Sequence, residues 1–233
     1  MKKVLNQNAL KYILIVAMTI AHIAWTFDFF SDYEAVKFFM GFIGMLTAPT
    51  MSMFIAEGYY YTRSKRAYGF RLLIFAVITH LAAVMFCFLG DLKAIDLLMP
   101  NMIFNLFFSF CALAAFEGFA DKKKKIIVTA ALVLLCAVSE WSVFVVLWAF
   151  AFYKFKNNTR KKYTAYYIIA TICSIYGFIS GTPFQVGVLI APLLLIFYNG
   201  KKGSNHPFHK WFFYIYFPLH FIVLELLKLY VVK

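Results

Sequence analysis

Seven ionisable side chains interrupt long apolar runs in this sequence: His22, Glu57, His80, Glu117, Glu140, His220 and Glu225. In hydrocarbon such groups are costly, so they turn toward the interior of a helix bundle or toward water, and they are the first candidates for chemistry. Three of them are histidines. An uncharged imidazole keeps a lone pair that accepts a proton near neutrality, which suits a general-base step or a proton relay. Counting along helices puts His22, His80 and His220 near the middle of their respective runs, in one expected layer. Tyr216 lies one helical turn before His220, and Thr19 lies three residues before His22, so each imidazole shares a helix face with a hydroxyl. The structural alternative for any one of these histidines is an interhelical hydrogen bond. His80, flanked by Ala76, Val77, Ala83 and Val84, fits that alternative best.

A second pattern concerns anions. Glu57 is followed by Gly58, by Tyr59, Tyr60 and Tyr61, and then by Arg63, Lys65, Arg66 and Arg71. Asn199, Gly200, Lys201, Lys202 and Gly203 form another loop of small and basic residues. Guanidinium forks, backbone N–H groups bared by glycine and aromatic faces are what a nucleotide with several phosphates needs. Coenzyme A meets that description, with Tyr60, Arg63, Lys65, Arg66, Arg71, Asn199, Lys201 and Lys202 as the expected contacts. Glu57 has an ion pair with a neighbouring base as its structural alternative. Glu140 reads as a solvated turn, and Glu225 with Lys228 as a snorkelling pair.

The elements that carry these residues follow from composition. Of 233 residues 64% are hydrophobic and only 14% charged, with a mean hydropathy of +0.78. Soluble domains run near ~45–50% apolar and ~25% charged. A soluble globular enzyme, a disordered chain and a disulfide-stapled secreted domain are therefore excluded. Cys87, Cys111, Cys136 and Cys173 sit singly in apolar runs, and no phosphate-binding glycine loop or metal-ligand spacing occurs.

Apolar runs cover residues 10–28, 36–61, 69–89, 101–120, 126–139, 141–155, 163–179, 184–198 and 211–231. A spanning helix takes about 20 residues. The polar group Ser139, Glu140 and Ser142 divides one long run, and Gly181-Thr182-Pro183 divides another. The expectation is an all-α, polytopic membrane helix bundle of about nine spans, a single domain over residues 1–233. On that division nineteen of the 23 Lys and Arg fall on alternate loops, which puts the N-terminus in the cytoplasm and the C-terminus outside. Asp28, Asp32, Glu34, Asp91 and Asp96 fall mostly on the other face, in short outer loops. Lys2-Lys3 and the run behind it read as a retained first helix rather than a cleaved leader. The net charge of +13 is thus loop charge facing lipid and anionic ligands, not a nucleic-acid surface.

Several stretches resemble the TraX family. They are Phe54-Ile-Ala-Glu-Gly-Tyr-Tyr-Tyr-Thr-Arg-Ser-Lys-Arg66 continuing through Arg71-Leu-Leu-Ile-Phe75, Asn101-Met-Ile-Phe104, Tyr198-Asn-Gly-Lys-Lys202 and Phe213-Tyr-Ile-Tyr-Phe-Pro-Leu-His220. The resemblance covers nearly the whole chain. It implies a multi-span acetyltransferase of the kind named for N-terminal acetylation of a conjugative pilin. It also implies His22 as a first-helix histidine associated with transfer, Glu57 and Arg63 to Arg71 as part of an inner-side motif, and His220 as the terminal-helix histidine. Family members often carry an acidic residue just before the first-helix histidine, where this chain has Ala21.

The resulting expectation is a multi-pass protein of the bacterial cytoplasmic membrane. It would move an acetyl or other short acyl group from cytoplasmic acyl-CoA to an amine or hydroxyl of a peptide, glycan or small molecule. His22 would act as general base, with Tyr216 or His220 as a donor and Glu57 in support. Acetyl-CoA is the expected co-substrate, and neither a metal nor a nucleic-acid partner is expected. The alternative is a multi-span transporter without covalent chemistry.

Overall fold

The computed structural model describes residues 3–88 and 99–231. Asp91, Lys93 and Asp96 of the expected outer loop, together with Lys2 and Lys233, lie outside the described residues, as do the side chains of Asp28 and Cys87. Among the described residues the chain is all helical. The helices are α1 (Gln7–Thr26), α2 (Glu34–Gly44), α3 (Thr47–Tyr61), α4 (Lys65–Phe88), α5 (Met102–Gly118), α6 (Lys122–Ala137), α7 (Phe144–Lys154), α8 (Thr159–Ile179), α9 (Ala191–Ile196) and α10 (Pro207–Val231). Short 3-10 helices occupy Asp28–Asp32 and Pro183–Ile190. One isolated parallel bridge joins Leu5 and Tyr198.

The expected breaks near Glu140 and Pro183 are both present: α6 ends at Ala137 and α7 begins at Phe144, and α8 ends at Ile179. Within the continuous stretch over residues 36–61 a turn at Met45 and Leu46 separates α2 from α3, and residues 184–198 form a 3-10 segment followed by the six-residue α9. Among the described residues, three helical stretches are long and apolar enough to cross a membrane: Gln7–Thr26, Glu34–Tyr61 and Pro207–Tyr230. Met102–Gly118, Phe144–Lys154 and Pro183–Ile196 are apolar but shorter. At ~1.5 Å per residue, the 11-residue α7 reaches roughly 16 Å, about half of a ~30 Å hydrocarbon layer.

The chain forms two compact units, Met1–Thr50 with Ala170–Lys233, and Met51–Ile169. In the second, α5 is the central helix and packs against α4, α6 and α7. Ala112, Cys136 and Val146 are fully buried there. The start of α5 is capped twice. Asn101 Oδ1 accepts from the N–H groups of Ile103 and Phe104, and the Glu140 carboxylate accepts from Met102 N–H at 2.9 Å. Glu140 thus sits in a turn, as expected, and that turn is tied to a helix end where a carboxylate is favoured.

In the first unit the loop after α9 caps α1. The N–H groups of Gln7 and Asn8 donate to the carbonyls of Lys201 and Lys202, Ala9 donates to Asn6 Oδ1, and Leu10 to Asn6 O. The Gln7, Asn8 and Ala9 donors, which a helix start leaves without intrahelical partners, are thereby satisfied, and the Leu10 bond opens the helical ladder. The loop reaches them because Gly200 and Gly203 adopt φ of +72° and +87°, a region that favours glycine.

Two faces of α1 are used differently. One packs on α2 through small residues: a methyl at Gly44 would overlap that of Ala21 and lie 3.5 Å from the Ala17 carbonyl. The other meets α10 in parallel register, with Tyr12 bonded to His209, Thr19 to Tyr216, and His22 against His220. Small residues let helix backbones approach where lipid offers no hydrophobic drive. Gly44→Ala is expected to cost about 1–3 kcal/mol through overpacking. Gly118→Ala, where an added methyl meets nothing within 4 Å, is the matched control. Thermal unfolding in detergent, followed by tryptophan fluorescence, checks the difference.

Candidate functional site

The site is built on the α1–α10 seam. His22 and His220 stand edge to face with ring centroids 5.0 Å apart and planes at 70°. His22 is half-buried and His220 is only 5% exposed. Aromatic rings surround them. Trp25 lies 5.3 Å and Phe221 5.7 Å from His22, and Phe217 lies 5.4 Å from His220. Trp25, not among the expected site residues, follows His22 by three residues, the helical spacing that places it on the same face. Nothing in the sequence marked Phe221.

The helix backbone orients the second imidazole. His220 Nδ1 lies 3.2 Å from the carbonyl of Tyr216, one turn back. A carbonyl only accepts, so Nδ1 carries the proton and, in the uncharged ring, Nε2 carries the lone pair. That Nε2 is buried with no hydrogen-bond partner. The Tyr216 ring lies almost parallel to the imidazole, at 5.5 Å and 4°. Its hydroxyl is 2.7 Å from Thr19 Oγ1, and Thr19 donates to the carbonyl of Ile15 at 2.8 Å. Because Thr19 has one hydroxyl proton and gives it to Ile15, Tyr216 donates to Thr19. Tyr216 is therefore committed as a donor, a fact that the sequence left open.

The remaining expected residues fall into separate groups. His80 belongs to the second unit and packs edge-on to Phe104 at 5.9 Å. Glu57, Tyr60, Arg63, Lys65, Arg66 and Arg71 also belong to the second unit. There Lys65 Nζ sits 3.9 Å over the Tyr59 ring and Lys156 Nζ 3.0 Å over the Tyr60 ring, favourable cation–π placements. Arg63, Lys65 and Arg66 are exposed, Glu57 is half-buried, and Arg71 is half-buried with its guanidinium 5.8 Å from the Tyr68 ring. Asn199, Lys201 and Lys202 belong to the first unit, in the loop that caps α1. Asn199 Oδ1 accepts from Lys201 N–H at 2.8 Å, and the lysine side chains are exposed. Glu225 is 6% exposed, buried rather than snorkelling. Among the described residues, no group of three or more His, Cys, Asp or Glu is placed to hold a metal ion.

The family model for TraX protein matches residues 6–228, which include the seam and both histidines. The chain belongs to the TraX family. It is also similar to the "Probable fimbrial assembly protein FimC, serogroup H1" of Dichelobacter nodosus, 27% identical over 231 residues and 92% of each chain. No solved structure matches it. These findings correct the functional expectation. An acyl-CoA-dependent transferase with a peptide, glycan or small-molecule acceptor, or else a transporter, is not what they support. The relative's name concerns fimbrial assembly, and neither name speaks of acyl-CoA chemistry or transport.

Ala21, the residue just before His22, is 1% exposed and faces Gly44. The closeness of α1 and α2 excludes a longer side chain there, so an acid cannot support His22 from that position. Ala21→Asp is expected to lower stability by at least about 2 kcal/mol, more than Ala21→Ser, because it buries a larger polar group without a partner. Unfolding temperatures of the two variants in detergent check the order.

Proposed function

We propose that this chain is a membrane enzyme of fimbrial assembly that acetylates a fimbrial subunit, with the His22–His220 pair handling the proton of the reacting amine. Membership of the TraX family and the fimbrial-assembly relative support the assembly role. The observation that carries the chemistry is the buried, unpartnered Nε2 of His220, 5.0 Å centre to centre from a second imidazole within an aromatic enclosure. An acceptor without a donor in an apolar setting costs about 1–3 kcal/mol, and a substrate N–H removes that cost. The exposed aliphatic and aromatic surface, including Ile127, Leu134, Ile172 and Phe178, suits lipid.

The proposal includes about nine crossings of the bacterial cytoplasmic membrane, with the N-terminus inside. The charge bias of the loops supports that orientation. The parallel course of α1 and α10 supports an odd number of crossings, since both helices then pass in the same direction.

The test is made in cells that produce this chain with its fimbrial subunit. Intact-mass analysis of the subunit is expected to show one added acetyl group. His220→Ala is expected to reduce its incorporation by ~10²–10⁴-fold, the range for loss of a general base, and His22→Ala to reduce it by less. Membrane levels of both variants, read by immunoblot, are expected to match wild type. A subunit without added acetyl in wild-type cells would reject the activity.

A further inference from the structure

The two histidines of the pair are not equivalent. We propose, resting on the acetyl-transfer reading, that His220 rather than His22 is the proton acceptor, and that Thr19 and Tyr216 are positioning residues that hold its Nε2 toward the substrate.

Four linked contacts carry this. Thr19 donates to the Ile15 carbonyl at 2.8 Å, which leaves its oxygen to accept from Tyr216 at 2.7 Å. That bond fixes the Tyr216 ring, which lies 4° from parallel to the His220 imidazole. The Tyr216 carbonyl accepts from His220 Nδ1 at 3.2 Å and so selects the tautomer. What remains is Nε2, buried and without a partner. Elsewhere in this seam the hydroxyls of Tyr12, Thr19 and Tyr216 each have a side-chain or carbonyl partner. A buried acceptor held in one orientation and left unmatched is what a general base requires before its substrate arrives. Nothing comparable fixes His22, whose ring is contacted by the faces and edges of Trp25, His220 and Phe221.

In the reaction the amine N–H of the subunit donates to His220 Nε2. As its nitrogen attacks the carbonyl carbon of an activated acetyl ester or thioester, a C–N bond forms and the proton passes to Nε2. The bond from that carbon to the leaving oxygen or sulfur then breaks, the electron pair goes with the leaving atom, and the proton on Nε2 neutralises it. No oxidant or reductant is involved. His22, edge-on at 5.0 Å, stands beside the imidazolium as it forms.

Two measurements separate this inference from the acetyl-transfer reading. Nitrogen NMR of the full chain carrying ¹⁵N-histidine in lipid bilayers reads the tautomer directly, with His220→Gln identifying the resonances. Wild type is expected to show a protonated Nδ1 and a bare Nε2. Thr19→Val is expected to give a mixture of tautomers, and Thr19→Ser the wild-type pattern. A protonated Nε2 in the uncharged wild-type ring, or an unchanged spectrum in Thr19→Val, overturns the assignment. In cells, acetyl incorporation into the subunit is expected to fall by ~10²-fold or more in His220→Gln. It is expected to fall by about tenfold in Thr19→Val through lost orientation, and to recover in Thr19→Ser. Full activity in His220→Gln overturns the role of His220. An unacetylated subunit in wild-type cells, with the expected NMR pattern, brings down the transfer step and with it the base role, while the tautomer and its two positioning residues stand.

Discussion

Polar groups on helices in hydrocarbon must find their partners within the protein, and the α1–α10 seam is organised by that constraint. Tyr12 meets His209, Thr19 meets Tyr216, and His220 turns to its own helix backbone. The first two of these contacts require the two helices to run in the same direction and in one register. A slip of a single residue on either helix would rotate the hydroxyls and imidazoles by about 100° and break both contacts together. Register is therefore specified by hydrogen bonds, while the aliphatic neighbours tolerate sliding.

The other side of α1 is governed by size. Ala17 and Ala21 lie against Gly44, and Gly187 brings the 3-10 segment against the carbonyl of Phe42 in the same way. Close backbone approach pins α1 from behind, so the face that carries Thr19 and His22 is held against α10. The cap at its start completes this support, because the loop that supplies the Lys201 and Lys202 carbonyls leads directly into α10. The loop whose glycines and lysines read as an anion cradle also joins the ends of the two helices that carry the histidines, through backbone carbonyls that face the α1 terminus.

The helical character of the chain, its main breaks and the histidines as the groups to watch were legible in the sequence. Apolar runs of suitable length can be buried in lipid only as helices, and ionisable side chains there are too costly to be incidental. The spacing of Thr19 with His22 and of Tyr216 with His220 was legible too, because residues three and four apart share a helix face. The expectation of one layer of three imidazoles was drawn from depth alone. Depth along a helix says nothing of which helix faces which, and His80 belongs to the other compact unit.

The sequence by itself determined an all-helical, lipid-compatible chain with few polar groups inside it, because composition and periodicity fix what each segment can bury. Only the tertiary structure decided that His22 meets His220, that Tyr216 gives its hydroxyl proton to Thr19, and that Nε2 of His220 is buried without a partner. Those outcomes depend on contacts between residues nearly two hundred positions apart, which are set by the packing of α1 between α2 and α10 and leave no trace in local pattern.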